Sequence, residues 1–92
     1  MATFRIPPVL RALTNDEVDV QAEGDTLGAA FEHLFTSYPD LKSRVIGEQG
    51  ELRRFINVYV DDEDVRTLQG LDTALEPKSE VIVLPAMAGG ER

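Results

Sequence analysis

The sequence predicts an α+β domain in which a mixed sheet wraps one main helix. Three observations carry that reading: alternating apolar segments near both ends of the chain, one amphipathic segment after residue 26, and a nearly continuous β-favouring run at 55–60. Ninety-two residues make one small domain, able to bury roughly 60–65% of its unfolded surface but without room for a deep catalytic cleft. The expected division is a folded body over 1–86 and a flexible end over 87–92.

Each element follows from local pattern. Thr3-Phe4-Arg5-Ile6 alternates as a strand does and meets Pro7 and Pro8. Residues 17–22 alternate again after a polar turn containing Asn15 and Asp16, so the two segments pair as a hairpin. Gly24, Asp25 and Thr26 supply helix-capping chemistry. Leu27, Ala30, Phe31, Leu34, Phe35 and Tyr38 follow at i, i+3, i+4, i+7, i+8 and i+11, which predicts a helix over about 26–37, stopped by Pro39. Residues 40–46 form a short second helix and 47–51 a loop. The run Phe55-Ile56-Asn57-Val58-Tyr59-Val60 reads as a central strand closed by the acidic turn Asp61-Asp62-Glu63-Asp64. Val65 and Arg66 form a short edge strand, 71–75 a single helical turn, 76–79 a turn, and 80–84 the last strand.

The order β-β-α-β-(β)-β is that of a β-grasp, the ubiquitin-like arrangement with the first and last strands parallel at the sheet centre. Alternation turns Val81, Val83, Ile56, Val58 and Val60 toward the helix. Phe55, Asn57, Tyr59, Ile82 and Leu84 face the other way. The outer face therefore carries an apolar patch of Phe55, Tyr59, Ile82 and Leu84, a candidate docking surface. The competing reading has loops, or Tyr38 and Pro39, folding back to cover it.

Composition narrows the function. Seventeen acidic against nine basic side chains give a net charge of −8, which opposes binding to nucleic acid or to an anionic membrane surface and makes a basic partner surface the natural complement. No cysteine is present, so there is no disulfide, thiol nucleophile or thiolate metal site. The N-terminus lacks a signal-peptide core and no segment reaches membrane-span length, so the expected location is the cytosol. The single histidine, His33, falls on the polar side of the helix and is read as a surface residue. The acidic run 61–64 lacks the glycine and distal glutamate of a calcium loop and is read as a solvated turn, so no metal is expected. Arg5, Arg11, Arg53, Arg54 and Arg66 are scattered and are read mostly as ordinary solvated charges, with one or two left as candidates to fix the register of a docked partner. No catalytic constellation emerges, so the chain reads as a partner of enzymes.

The end Pro85-Ala86-Met87-Ala88-Gly89-Gly90 follows directly on an apolar strand, and two residues without Cβ make a tip thin enough to thread a narrow active site. Together with Gly24-Asp25-Thr26-Leu27-Gly28 and Arg54-Phe55-Ile56-Asn57-Val58-Tyr59-Val60, this end resembles the ubiquitin-like sulfur-carrier family. That family includes the thiamine-pathway carrier, the small subunit of molybdopterin synthase and the carrier of the thiocarboxylate route to cysteine. The resemblance covers nearly the whole chain and is nearest the cysteine-route carrier. It implies that an E1-like enzyme adenylates Gly90 with ATP and that sulfur then replaces AMP, with Gly89 the adjoining hinge and Phe55, Tyr59, Ile82, Leu84 and Met87 docking the enzyme. The carrier itself binds no cofactor. The resemblance further implies a pyridoxal-phosphate enzyme of the cysteine-synthase type as sulfur acceptor and a metalloprotease that releases the product. One departure stands out: Glu91 and Arg92 follow Gly90. Either a peptidase cuts between Gly90 and Glu91, which is the favoured reading, or carrier activity has been lost, or the two residues are foreign to the natural chain. The alternatives are the small subunit of molybdopterin synthase, a β-grasp interaction module that carries no sulfur, and a modifier joined through Gly90 to lysines of other proteins.

Overall fold

A computed structural model describes residues 1–85. The expectations placed on Met87, Gly89, Gly90 and Glu91, and on the tail as a whole, lie outside the described residues. Five strands form one sheet: β1 (Ala2–Arg5), β2 (Asp19–Ala22), β3 (Ile56–Val60), β4 (Glu63–Asp64) and β5 (Glu80–Pro85), in the order β2-β1-β5-β3-β4. β1 and β5 run parallel, with Phe4 opposite Val81 and Arg5 opposite Ile82. β2, β3 and β4 join antiparallel, and helix α1 (Leu27–Ser37) covers one face. This is the β-grasp.

The helix begins where its chemistry dictates. Thr26 is extended, and its hydroxyl accepts the Ala29 N–H at 3.2 Å, satisfying one of the donors left free at a helix start. Leu27, Ala30, Phe31, Leu34 and Phe35 are all buried, on the single stripe that their spacing defines. Phe31 lies 5.1 Å from Phe4 of β1 and 5.5 Å from Phe35, ring centre to ring centre, so the helix stripe meets the sheet through aromatic contact. Val58, Val81 and Val83 complete this layer at no more than 2% exposure, and Ile56 and Val60 are also buried, which fixes the inner face as the alternation predicts.

Gly24 sits where the chain passes the helix. A Cβ added there would lie 2.3 Å from the Ala30 nitrogen and 2.7 Å from its Cα, closer than atoms can approach. The obstacle is backbone and cannot swing away.

Several local expectations shift. β1 ends at Arg5 and β2 starts at Asp19. Ile6 and Val18 are still joined by a hydrogen bond of 2.8 Å, but a 3-10 segment, Pro8–Thr14, lies between the two strands. The short second helix is α2 (Lys42–Val45), after a 3-10 turn over Pro39–Leu41. The helical turn expected at 71–75 is a 3-10 turn over Gly70–Asp72. Val65 and Arg66 are not an edge strand. They belong to a 3-10 turn, Val65–Thr67, because Asp64 accepts the Arg66 N–H at 2.9 Å and caps it, while β4 occupies the two preceding residues. The run at 55–60 is not central either. β3 is fourth of five, next to the two-residue β4, and β5 takes the position between β1 and β3. Val60 and Glu63 pair across Asp61 and Asp62, both at positive φ, as two-residue hairpin turns require.

Replacing Gly24 with Ala is expected to destabilise the fold by about 1–3 kcal/mol, as overpacking against a fixed backbone does. Urea unfolding of the two proteins measures it, and equal midpoints would refute the close approach.

Candidate functional site

The outer face of the sheet is built from the residues that alternation turns away from α1. Tyr59 of β3 stands opposite Ile82 of β5, and Asn57 opposite Leu84. On the far side of β5, Arg5 pairs with Ile82. Tyr59 and Ile82 are half-buried, whereas Leu84 is 45% and Phe55 58% exposed. Phe55 differs from its expected place. It precedes β3, in a turn closed by the Ile56 N–H donating to the Arg53 carbonyl at 3.1 Å. A residue in a turn is not held to strand alternation, and Phe55 projects from the end of the sheet where Ile56 faces Pro85. Tyr38, one of the covers that the competing reading offered for this face, packs against the core instead.

Polar groups frame the patch differently on its two sides. Beside Ile82, Arg5 and Asp19 form an exposed ion pair at 3.2 Å. Each offsets the other's charge, and pairs this exposed contribute little to stability. Together with Thr3 and Glu80 they line a small depression. On the β3 side, Arg66 reaches across from its 3-10 turn. One guanidinium nitrogen, Nη1, donates to the Asn57 Oδ1 at 3.0 Å, and the other, Nη2, donates to the Arg53 carbonyl at 2.9 Å. Asn57 thus faces outward, as expected, because its amide oxygen has an arginine to receive.

The remaining arginines divide by what they hold. Arg53 donates from Nε to the Ser43 carbonyl at 2.6 Å, and Arg11 from Nε to the Ile6 carbonyl at 3.0 Å. Both are tied to backbone. His33 is exposed, and its Nδ1 accepts the Glu23 N–H at 2.6 Å, which ties α1 to the end of β2. The acidic run is structural in detail: the Asp61 carboxylate accepts the Glu80 N–H at 3.0 Å while the Asp61 N–H donates to the Glu80 carbonyl at 2.9 Å. Among the described residues, no group of three or more histidine, aspartate or glutamate side chains is placed to hold a metal ion.

The ThiS family model matches residues 5–90, from the end of β1 through β2–β5 to the paired glycines. The chain belongs to the ThiS family, the ubiquitin-like sulfur carriers. This ThiS-family chain is 44% identical over 90 residues to the sulfur carrier protein CysO of Mycobacterium tuberculosis, covering 96% of this chain and 97% of that one. It superposes on a chain of the crystal structure of the Amycolatopsis orientalis BexX/CysO complex with a TM-score of 0.91 at 39% identity, covering 98% of this chain and all of that one. The crystal structure of Mycobacterium tuberculosis CysO matches with a TM-score of 0.88 at 42% identity over 94% of this chain and 99% of that one. Over nearly its full length the chain is thus similar to sulfur carriers named CysO.

The carrier's sheet brings Tyr59, Ile82 and Leu84 onto one face and sets Phe55 at its end; Met87, Gly89, Gly90 and Glu91 lie beyond the described residues. The reading from sequence missed the reach of Arg66 to Asn57, for which the only signal was an arginine two residues after the acidic turn.

Two phenylalanines of this carrier differ in burial and therefore in their expected contribution to stability. Phe55→Ala is expected to change stability by no more than about 0.5 kcal/mol, as exposed substitutions do. Phe31→Ala, 1% exposed, is expected to cost about 3–5 kcal/mol. Thermal or urea unfolding of both variants checks this, and a large loss from Phe55→Ala would place that ring in the core.

Proposed function

We propose that this carrier transports sulfur as a thiocarboxylate on Gly90 and that it serves a route to cysteine. The observation that supports this best is the family match, which runs through Gly89 and Gly90 and ends there, joined to near full-length similarity to CysO. In this reading the chain performs no catalysis of its own. It offers an outer face for recognition and a carboxylate for reaction.

The chemistry follows from the weakness of a carboxylate as an electrophile. Its charge is shared by two oxygens, and neither leaves readily. An E1-like enzyme with ATP solves both problems: a Gly90 carboxylate oxygen attacks the α-phosphorus, pyrophosphate departs, and the acyl adenylate carries a good leaving group. Hydrosulfide then forms the C–S bond as the C–O bond to AMP breaks, leaving the thiocarboxylate. Where a persulfide is the donor, an acyl disulfide forms first and a second thiol must cleave it. The glycines suit the step because no Cβ obstructs a narrow channel.

Phe55, Tyr59, Ile82 and Leu84, with Met87 nearer the reactive end, are the residues proposed to dock the activating enzyme. The thiocarboxylate sulfur then takes the place of the activated hydroxyl of a serine held by a pyridoxal-phosphate enzyme of the cysteine-synthase type, with that oxygen group as the leaving group. The resulting thioester passes its acyl group from sulfur to the cysteine amine, and a metalloprotease hydrolyses the new amide to free cysteine and the Gly90 carboxylate. Glu91 and Arg92 must be removed first, because Gly90 has no free carboxylate while the Gly90–Glu91 bond is intact. A peptidase that cuts at this bond is therefore part of the proposal. The work is expected to take place in the cytosol.

The test uses two forms of the protein, the chain through Arg92 and the chain ending at Gly90, each incubated with an E1-like enzyme, ATP and sulfide. The form ending at Gly90 is expected to gain one sulfur in place of one oxygen by intact mass, and the longer form to remain unchanged. Gly90→Ala in the shorter form is expected to abolish the gain. Failure of the shorter form to react would leave a β-grasp interaction module as the better reading, and isolation as a stable hetero-oligomer would favour the small subunit of molybdopterin synthase.

A further inference from the structure

We propose that Arg66 is a positioning residue of the outer face, holding the turn that presents Phe55 in the arrangement a docking enzyme meets. The inference rests on the reading of that face as the docking surface of the activating enzyme, and it adds a residue to which that reading gives no role. Three contacts converge on the turn. The Arg53 carbonyl accepts the Ile56 N–H at 3.1 Å and the Arg66 Nη2 at 2.9 Å, filling both of its lone pairs. Arg66 Nη1 reaches Asn57, the residue that faces Leu84 across the ladder. Phe55 lies between these two fixed points, 58% exposed and outside the strand ladder that orders its neighbours.

Arg66 is itself held at its base. Asp64 accepts its N–H at 2.9 Å, and the Thr67 hydroxyl donates to the Asp64 carbonyl at 2.7 Å, so the 3-10 turn from which the side chain projects is closed at both ends. The guanidinium is gripped by two neutral acceptors, since the one ion pair among the described residues is Arg5 with Asp19. Two N–H groups in a rigid plane define a direction that a single ammonium nitrogen does not. The side chain and both contacts are exposed, so their removal is a local event with little effect on the global fold. What the clamp supplies is preorganisation: a bulky aromatic on a turn that is already ordered loses less freedom on binding than one on a loose turn.

The experiment compares the chain ending at Gly90 with its R66A and R66K variants. Amide exchange at Ile56 is expected to accelerate about tenfold in R66A and to a lesser degree in R66K, as loss of a modest hydrogen-bonded constraint implies. The melting temperature is expected to fall by less than about 4 °C. With an E1-like enzyme and ATP, KM for the carrier is expected to rise about three- to tenfold in R66A while kcat stays within about twofold, the signature of lost docking in place of lost chemistry. Unchanged exchange at Ile56 would overturn the clamp. Full rescue of KM by R66K would show that charge and not the two-pronged geometry matters, and would also overturn it. Faster exchange with an unchanged KM would remove the turn from the docking surface while leaving the carrier function intact. If the unsubstituted chain ending at Gly90 is not adenylated at all, the carrier reading falls and this inference with it.

Discussion

The position of β5 between β1 and β3 is the constraint on which the rest of the molecule depends. A strand paired on both sides and buried on one face has a single workable register, since a slip of one residue would turn Val81 and Val83 to solvent and carry Ile82 and Leu84 into the core. Asp61 pins the start of this strand by exchanging two hydrogen bonds with Glu80, side chain to N–H and N–H to carbonyl. At the other end, Pro85 stands opposite Ile56 and has no N–H to give to the ladder. The strand that leads toward the paired glycines is thus fixed in register at its beginning and limited by chemistry at its end. A candidate reactive terminus attached to such a strand departs from a defined place on the sheet, next to Phe55 and Leu84.

Part of the acidity of the chain has a local structural use. Asn15, Asp16, Asp61 and Asp62 adopt positive φ, a conformation that asparagine and aspartate tolerate better than most residues with a Cβ. Asp64 caps the 3-10 turn that carries Arg66, Asp61 secures β5, and Asp19 pairs with Arg5. Much of the acidic run between β3 and the 3-10 turn is therefore committed to shaping backbone. Net charge alone is a poor guide to the character of the outer face, where the guanidinium of Arg66 is held by two neutral acceptors, Asn57 Oδ1 and the Arg53 carbonyl.

The fold was largely legible because its strongest determinants are periodic. Leu27, Ala30, Phe31, Leu34 and Phe35 announce the helix, Thr26 its start, and the valines of β3 and β5 the inner face of the sheet. Errors arose where a pattern was too short to have a period. Val65 and Arg66 read as a strand by composition, but the Asp64 carboxylate captures the Arg66 N–H and bends the chain into a 3-10 turn. Phe55 has strand propensity and lies beside a strand, yet a hydrogen bond from Ile56 to Arg53 closes a turn around it. The segment Pro8–Thr14 starts with proline at its first position and sets Leu10, Leu13 and Thr14 at i, i+3 and i+4, but seven residues give that spacing only one turn to repeat, too little to set it apart from a loop. The run at 55–60 looked central because it is almost wholly apolar, a property it shares with β5, and hydrophobicity does not rank two buried strands in order. Of the candidate site, the outward set Tyr59, Ile82 and Leu84 followed from alternation. The Arg66 contacts did not, because a side chain that meets residues nine and thirteen positions away leaves no periodic trace.

Under the proposed function, a carrier handled in turn by several enzymes faces a conflict between being recognised and being reactive. Recognition needs surface that is ordered before the partner arrives, because every side chain immobilised on binding subtracts from affinity. Entry of a terminus into a narrow channel needs backbone with few steric restrictions, which glycine provides and a packed strand does not. The sequence separates these demands along the chain. Val81 and Val83 anchor β5 in the core, Ile82 and Leu84 alternate with them onto the outer face, Pro85 closes the ladder, and only then do Gly89 and Gly90 follow. Phe55, outside the ladder, is the exception on the recognition side, since neither strand pairing nor burial orders it. A guanidinium delivered from a separate turn is a physically economical remedy: it adds order at one exposed aromatic without placing another residue in the core.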